Sequence, residues 1–166
     1  MTLLALNQAD TAEAARLLRQ CCTSENWIAL LLQARPFADA SALHAEADRA
    51  WDAMQETDYL QSFEGHPKIG DVNSLKAKYA STKALAAGEQ AAVDSAGDQI
   101  ITALAEGNAA YEKKFGFIFI VCASGKSAGE MLGLLQARLP NSREQELMNA
   151  AEEQRKIFHL RLEKLL

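Results

Sequence analysis

The chain has 166 residues, of which 49% are hydrophobic, and its formal net charge is −5, from 17 Lys and Arg against 22 Asp and Glu. This composition is typical of a compact folded protein rather than a disordered one, and we expect a single domain over residues 1–166. Basic residues are scattered along the sequence, whereas nucleic-acid binding needs clustered cations, so we do not expect a nucleic-acid partner.

The sequence shows no pattern typical of a targeting signal or of a membrane span. The first ten residues carry no basic segment and no apolar run approaches 18 residues, so neither a signal peptide nor a membrane span is predicted. The tail Glu163-Lys164-Leu165-Leu166 differs from a Ser-Lys-Leu peroxisomal address. Cys21, Cys22 and Cys122 lack CxxC spacing, which favours free, buried thiols. We therefore expect a cytoplasmic protein.

Amphipathic helices dominate the first third of the chain. The spacing of apolar residues predicts three of them: from a cap at Asn7 or Asp10 to Cys21, from Ser24 to Arg35, and from Ser41 to Gln55. The second must end near Arg35, since Pro36 disfavours helical geometry in the residue before it. The segment 57–71 holds two glycines and a proline within seven residues, so we predict a loop with at most one short helical turn.

The rest of the chain is also predicted to be mainly helical. Helix resumes by Leu75 and over 88–114, with an interruption at 95–97, and again over Ser127–Leu139, before Pro140. A final long helix follows, capped either by Asn141 with Glu144 or by Ser142 with Gln145. The predicted fold class is an all-α, single-domain helical bundle.

One segment disagrees with that pattern. Residues 115–123, FGFIFIVCA, are β-branched and aromatic and resemble a buried strand, yet a lone strand in a helical protein has no sheet to join. If it is extended, its backbone amides and carbonyls are available either to a ligand or to helix ends and water. The sequence alone leaves both alternatives open.

Two common kinds of site are disfavoured. Gly125-Lys126-Ser127 follows a strand-like run, but a phosphate-binding loop needs a glycine where Ile120 stands, so Ser127 is predicted to cap a helix. His44, His66 and His159 form no HxxxH or HxxEH pair, and we predict no metal site.

Several polar residues have both a functional and a structural interpretation. His66 precedes Pro67, which stiffens the chain, so its imidazole is either a proton-transfer group or a surface histidine. Glu89 and Gln90 either lie on a solvated helix face or bind the polar edges of a urea-like ring. Arg161 stands among leucines, and either extends to solvent or binds a buried anion.

Taken together, these residues resemble one family. The sequence is similar to the OHCU decarboxylases, which act on 2-oxo-4-hydroxy-4-carboxy-5-ureidoimidazoline, through a series of motifs in the same order: Arg35-Pro36-Phe37, His66-Pro67-Lys68-Ile69-Gly70, Glu89-Gln90, Tyr111, Phe115-Gly116-Phe117 with Phe119–Ala123, Gly125-Lys126-Ser127 and Leu160-Arg161-Leu162. The resemblance covers nearly the whole chain, and HPxIG and FGF are its specific parts.

The resemblance implies an all-helical enzyme that needs no cofactor and converts OHCU to (S)-allantoin in urate breakdown. It implies that His66, Glu89 and Arg161 are catalytic. Residues implied to bind the substrate are Pro67, Ala86, Gln90, Phe119, Ile120, Val121, Cys122 and Ala123. It also implies a homodimer, a feature on which the residues themselves are silent.

One position departs from the family pattern. Many relatives have a serine three residues before the Glu-Gln pair, where this chain has Ala86, so one hydroxyl contact is in question. Two other functions remain as alternatives: a non-catalytic helical module that binds a ligand or partner, and a lyase for a different amide ring. The enzyme interpretation requires His66, Glu89 and Arg161 to lie close enough together in the fold to contact one ligand.

Overall fold

The structure, a computed structural model, describes residues 2–67, 72–77 and 90–166, with backbone alone for 90–96. All regular secondary structure in these ranges is helical: α1 (Leu3–Gln8), α2 (Thr11–Arg19), α3 (Glu25–Ala34), α4 (Ala40–Asp52), α5 (Glu56–Glu64), α6 (72–77), α7 (Gln90–Phe115), α8 (Ala128–Arg138) and α9 (Arg143–Leu165). The predicted all-α class is confirmed. Within these ranges, no helix is long and apolar enough to cross a membrane.

Side-chain caps begin several helices where the sequence predicts them. Asp10 Oδ1 accepts from the Glu13 amide at 2.8 Å, and Ser127 Oγ accepts from the Glu130 amide at 3.1 Å. Ser24 caps α3, and Ser142 Oγ accepts from the Gln145 amide at 3.1 Å at the start of α9. Each cap satisfies one of the amides that a helix start leaves unpaired.

Asn7 does not cap a helix, and that prediction is wrong. It lies inside α1, a short helix that the sequence analysis missed, which Thr2 caps. The Asn7 side chain instead pairs with the backbone of Phe37: Nδ2 donates to the carbonyl at 2.9 Å, and Oδ1 accepts from the amide at 2.8 Å. Asn7 therefore anchors a distant loop.

The predicted loop over 57–71 is wrong for its first half, because α5 occupies Glu56–Glu64. The Asp58 carboxylate caps this helix by accepting from the Gln55 amide at 3.0 Å, and it also accepts from Asn26 Nδ2 at 2.7 Å. The buried side of α5 carries Asp58, Ser62 and Phe63. Since two of these three side chains are polar, no apolar periodicity marks the helix.

The predicted interruption at 95–97 is also wrong, because α7 is continuous in its backbone from Gln90 to Phe115. Phe115, predicted to begin the extended segment, is the last residue of that helix. Gly116 ends it with a positive φ of 84°, a conformation that glycine adopts without strain. Residues 116–123 are not helical and join no β-ladder in the described ranges.

The chain divides into two compact units: unit 1 comprises Met1–His66, Ile120–Cys122 and Leu147–Leu166, and unit 2 comprises Pro67–Phe119 and Ala123–Glu146. The core of unit 1 is mainly aliphatic and includes several aromatic side chains. Trp27 and Trp51 are fully buried there, and their indole N–H groups donate to backbone carbonyls of α4 and α9, each at 3.1 Å. A single domain over 1–166 stays a prediction.

The cysteines are free and buried, as predicted. Burial raises the pKa of the Cys21 thiol to about 11 and that of Cys22 to about 12. Both thiols are therefore protonated at neutral pH and are poor nucleophiles.

Candidate active site

His66 lies directly beyond the C-terminal end of α5. Its backbone amide donates to the Phe63 carbonyl at 3.2 Å, and the Gly65 amide donates to the Ser62 carbonyl at 3.3 Å. The helix end therefore fixes the backbone of His66. This differs from the sequence expectation, in which Pro67 alone held His66 in a long loop.

Thr23 reinforces this helix end. Its Oγ1 lies 3.0 Å from the Gln61 carbonyl and 3.3 Å from the Ser62 carbonyl, both acceptors in the last turn of α5. A Cβ on Gly65 would lie 2.2 Å from Thr23 Oγ1, so only glycine fits there. The chain thus approaches His66 through a closely packed turn.

The imidazole of His66 is half-buried and contacts a fully buried amide. His66 Nε2 is hydrogen-bonded to Oε1 of Gln154, whose side chain on α9 has no exposed surface. Gln154 Nε2 has no hydrogen-bond partner in the described part of the chain. A buried donor without an acceptor is rare and costs stability.

Arg161 lies on α9 at seven residues from Gln154, so the two share one face of the helix. It is half-buried. No carboxylate or carbonyl of the described ranges accepts a hydrogen bond or forms an ion pair with its guanidinium. Its positive charge acts on the pKa values of His66, Cys21 and Cys22. Arg161 is therefore a cation without an anionic partner in the described ranges, and its charge acts on His66. Such a guanidinium is able to bind an anion.

The protonation state of His66 follows from its surroundings. Burial lowers its pKa below the ordinary 6.5, the hydrogen bond with Gln154 opposes this, and the charge of Arg161 lowers the pKa further. His66 is accordingly neutral at pH 7 and has a lone pair that can accept a proton. A neutral histidine on which this arginine acts electrostatically can take a proton from a ligand that the arginine binds.

Ile120–Cys122 is the part of the irregular segment that belongs to unit 1. Ile120 and Cys122 are buried, while Val121 is half-buried. The Cys122 amide donates to Glu153 Oε1 at 3.2 Å, so a carboxylate of α9 fixes this backbone. That these residues bind substrate through their backbone stays a prediction, as it does for the half-buried Ala123.

Phe119 belongs to an aromatic and ionic cluster within unit 2. Its ring lies 5.2 Å from that of Tyr111 and 4.7 Å from the Arg138 guanidinium. Glu146, fully buried, accepts from Tyr111 Oη and from Arg138 Nε, each at 2.6 Å. Asn141 Nδ2 donates to its other oxygen at 2.9 Å. These contacts fix the ring of Phe119.

The remaining predicted residues receive less structural description. Pro67 is exposed. Ala86 and Glu89 lie outside the described residues, and Gln90 is described only as the backbone that begins α7. The convergence of Glu89 on His66 and Arg161 therefore stays a prediction.

Sequence reasoning missed Gln154. A weak signal for it is present: this polar residue stands at helical spacing between the buried Ala150, Ala151 and Phe158, where an apolar side chain is usual. Its partner His66 comes from a distant part of the chain, so the pairing itself has no local signature.

The other two histidines meet in unit 1 although they are distant in sequence. His44 Nδ1 and His159 Nδ1 are 2.6 Å apart, and His159 Nε2 donates to Asp48 Oδ1 at 2.7 Å. Each of these nitrogens faces a hydrogen-bonding partner rather than a common centre. The described residues contain no group of three or more His, Cys, Asp or Glu suited to a metal ion.

Comparisons with known proteins point to one family. The family model described as OHCU decarboxylase matches residues 7–163. The chain is 35% identical, over 87% of its length, to the uric acid degradation bifunctional protein TTL of Arabidopsis thaliana, of which it covers 45%. It is 32% identical, over 80% of its length, to the 2-oxo-4-hydroxy-4-carboxy-5-ureidoimidazoline decarboxylase of Amia calva, of which it covers 75%.

Solved structures agree. A crystal structure of an OHCU decarboxylase in the presence of (S)-allantoin matches with a TM-score of 0.69 and 35% identity, over 89% of this chain and 94% of that one. A crystal structure of an (S)-allantoin synthase matches with a TM-score of 0.73 at 20% identity, a likeness of fold. The chain spans less than half the length of the bifunctional relatives from Arabidopsis thaliana and from Bacillus.

Proposed function

This chain belongs to the OHCU decarboxylase family, and we propose that it removes CO2 from OHCU to give (S)-allantoin in urate breakdown. One observation carries the proposal beyond family membership. A half-buried histidine of lowered pKa lies within electrostatic reach of an arginine that has no anionic partner in the described residues. The substrate is a carboxylate with ionisable ring groups, and it suits such a pair.

The chemistry needs little from the protein beyond placement and charge. Loss of CO2 leaves an electron pair on the ring carbon, and the conjugated carbonyl and imine of the imidazoline can accept it. The substrate thus contains its own electron sink, and we propose that the reaction is cofactor-independent. The protein must hold the carboxylate out of the ring plane, stabilise the developing anion and allow protonation on one face only.

The proposed roles follow from the charge of each group. His66 takes the proton of the substrate hydroxyl or carboxyl as CO2 leaves, and Arg161 binds the negative charge of the substrate. Glu89 orients the substrate, and Gln90 binds its ureido group. His66 or a bound water returns the proton to the ring carbon.

The substrate-binding residues complete the proposed site. Pro67, Ala86 and the segment Phe119–Ala123 line it, with the backbone of that segment toward the substrate. Where relatives have a serine, Ala86 offers only backbone groups. We further propose that the protein acts in the cytoplasm. We also propose that it is a homodimer, in line with the family resemblance.

Circular dichroism tests the reaction directly. Urate is converted to fresh OHCU by the two preceding enzymes, and the signal of (S)-allantoin is followed with and without this protein. We expect rapid formation of the (S) enantiomer with the protein and slow, racemic decay without it. Coincident traces with folded protein would contradict the proposal and favour the ligand-binding module. Turnover of another hydantoin-like acid in a substrate panel, without turnover of OHCU, would instead favour a related lyase.

A further inference from the structure

The feature that the proposed reaction leaves unexplained is Gln154. This side chain has no exposed surface, yet only one end of its amide is paired: Oε1 faces His66 Nε2, and Nε2 has no acceptor in the described residues. A residue kept for stability alone would be fully paired or apolar, because an unpaired buried donor opposes folding.

We propose that Gln154 is a positioning residue that holds the proton of His66 on Nε2 and so presents Nδ1 as the proton-accepting atom. A neutral imidazole carries one proton, and the partner of one ring nitrogen decides which nitrogen has it. A carbonyl oxygen can only accept, so Gln154 Oε1 requires Nε2–H. The lone pair is then on Nδ1.

The same contact assists the proton transfer that we assign to His66. When Nδ1 takes the substrate proton, the ring becomes an imidazolium with two N–H donors. The hydrogen bond from Nε2–H to Gln154 Oε1 then becomes charge-assisted and stronger, and it returns to its neutral form when Nδ1 gives up the proton. Gln154 thus stabilises the protonated ring more than the neutral one, in agreement with its raising effect on the pKa of His66.

The other two histidines provide internal references for a test. The Asp48 carboxylate accepts from His159 Nε2–H, so the lone pair of His159 is on Nδ1, and His44 must donate to it through Nδ1–H. The neutral chain therefore contains His44 with its proton on Nδ1 and His159 with its proton on Nε2. These three are the chain's only histidines.

The test is nitrogen NMR of the whole chain with ¹⁵N-labelled histidine above pH 7, with His66 assigned through His66→Asn. Protonated and unprotonated ring nitrogens resonate in separate ranges, so each tautomer is read directly. We expect His66 to have Nε2–H and an unprotonated Nδ1. In Gln154→Met, which removes the acceptor at similar volume, we expect a mixture of tautomers. Gln154→Glu keeps an oxygen acceptor and should restore the Nε2–H form.

Turnover provides the second readout, and this part rests on the proposed function. Gln154→Met should lower kcat roughly tenfold with little change in KM, while Gln154→Glu should recover most of kcat. The urea midpoint of Gln154→Met should be unchanged or higher, since this change removes the buried Nε2 that has no acceptor in the described residues. Gln136→Met, the same change at an exposed position of α8, should alter none of these values.

The NMR, turnover and urea results together distinguish a positioning role of Gln154 from a structural one. A wild-type His66 with its proton on Nδ1 overturns the proposal, as does an unaltered tautomer and kcat in Gln154→Met. A fall in kcat that accompanies a lower urea midpoint assigns Gln154 a structural role and also overturns it. If the wild-type chain fails to turn over OHCU, the proposed function fails, whereas the NMR result still decides the tautomer.

Discussion

Two buried polar clusters, one in each unit, differ in how completely they are paired. In unit 2 the Glu146 carboxylate accepts from Tyr111, Arg138 and Asn141, using both of its oxygens. In unit 1 Gln154 contacts His66 with one end of its amide, and its other end has no hydrogen-bond partner among the described residues. The first cluster is what a structural role requires, because every buried group is satisfied. In the second, a buried donor without a partner in the described residues favours a functional role over a purely structural one. Substitutions in and around the two clusters test that contrast.

The largest effect is expected from breaking the fully paired cluster. Glu146→Leu leaves the half-buried Arg138 guanidinium without its buried carboxylate, and we expect the free energy of unfolding to fall by about 3–5 kcal/mol. Urea denaturation measures it. Glu144→Leu, an exposed change in the same turn of α9, should cost about 1 kcal/mol or less. Similar losses in both variants would show that the cluster is not what stabilises unit 2.

Arg161 and Arg155 differ in the same way, in how fully their side chains are paired, within a single helix. Both are half-buried on α9, but Arg155 pairs with Asp48, Asp52 and Glu152, whereas Arg161 has no such partner in the described residues. Arg161→Met should lower kcat/KM for OHCU by roughly 10²-fold and leave the urea midpoint nearly unchanged. Arg155→Met should lower the urea midpoint and leave kcat/KM nearly unchanged. An Arg161 variant that loses stability but not activity would contradict the assigned role.

A smaller effect is expected from the turn that leads to His66. Gly65→Ala places a methyl group 2.2 Å from Thr23 Oγ1, so the end of α5 must shift, at a cost of about 1–3 kcal/mol. We also expect kcat to fall, because His66 moves with the turn. Gly133→Ala is the matched control: it lies in α8 with nothing within 4 Å of the added carbon, and should stabilise slightly. Thermal melts and initial rates distinguish the two variants.

The smallest effect is a pH dependence. Burial lowers the pKa of His66 and of His44 below 6.5, so as pH falls below that value the unfolded chain binds protons before the folded chain does. Stability is therefore expected to decrease from pH 6.5 downward, and less steeply in His66→Asn. The acidic limb of the kcat/KM profile should also lie below 6.5. A limb at or above 6.5 would contradict a buried, neutral His66.

The sequence predicts best those parts of the fold that depend on interactions between neighbouring residues. Caps at Asp10, Ser24 and Ser127 are correct because a cap needs only its own side chain and an amide three residues on. Helix α5 is missed because its buried face includes the polar residues Asp58 and Ser62, and Asp58 accepts a hydrogen bond from Asn26 of another helix. Binary patterning fails wherever tertiary hydrogen bonds replace apolar contacts.

The same distinction between local and tertiary interactions applies to the candidate site. His66 and Arg161 were identified by residue type and motif, but whether Arg161 reached solvent or a buried anion depended on which side chains surround it. The sequence holds only a weak signal for the burial of Gln154 and none for its role, since that role depends on contact with His66 across a long sequence separation. Residues with reactive or charged side chains can be identified from a sequence, whereas the residues that position them can be identified only from the structure.

The most direct test of the central claim is the turnover of His66→Ala on fresh OHCU, followed by the circular dichroism of (S)-allantoin beside the wild-type chain. General acid–base catalysis contributes about 10²- to 10⁴-fold, and we predict a loss of at least 10²-fold. Unchanged far-ultraviolet spectra and urea midpoint would show that the variant is folded. Near-normal turnover in a folded His66→Ala would contradict the account, and His66 would then be only a histidine at the end of a helix.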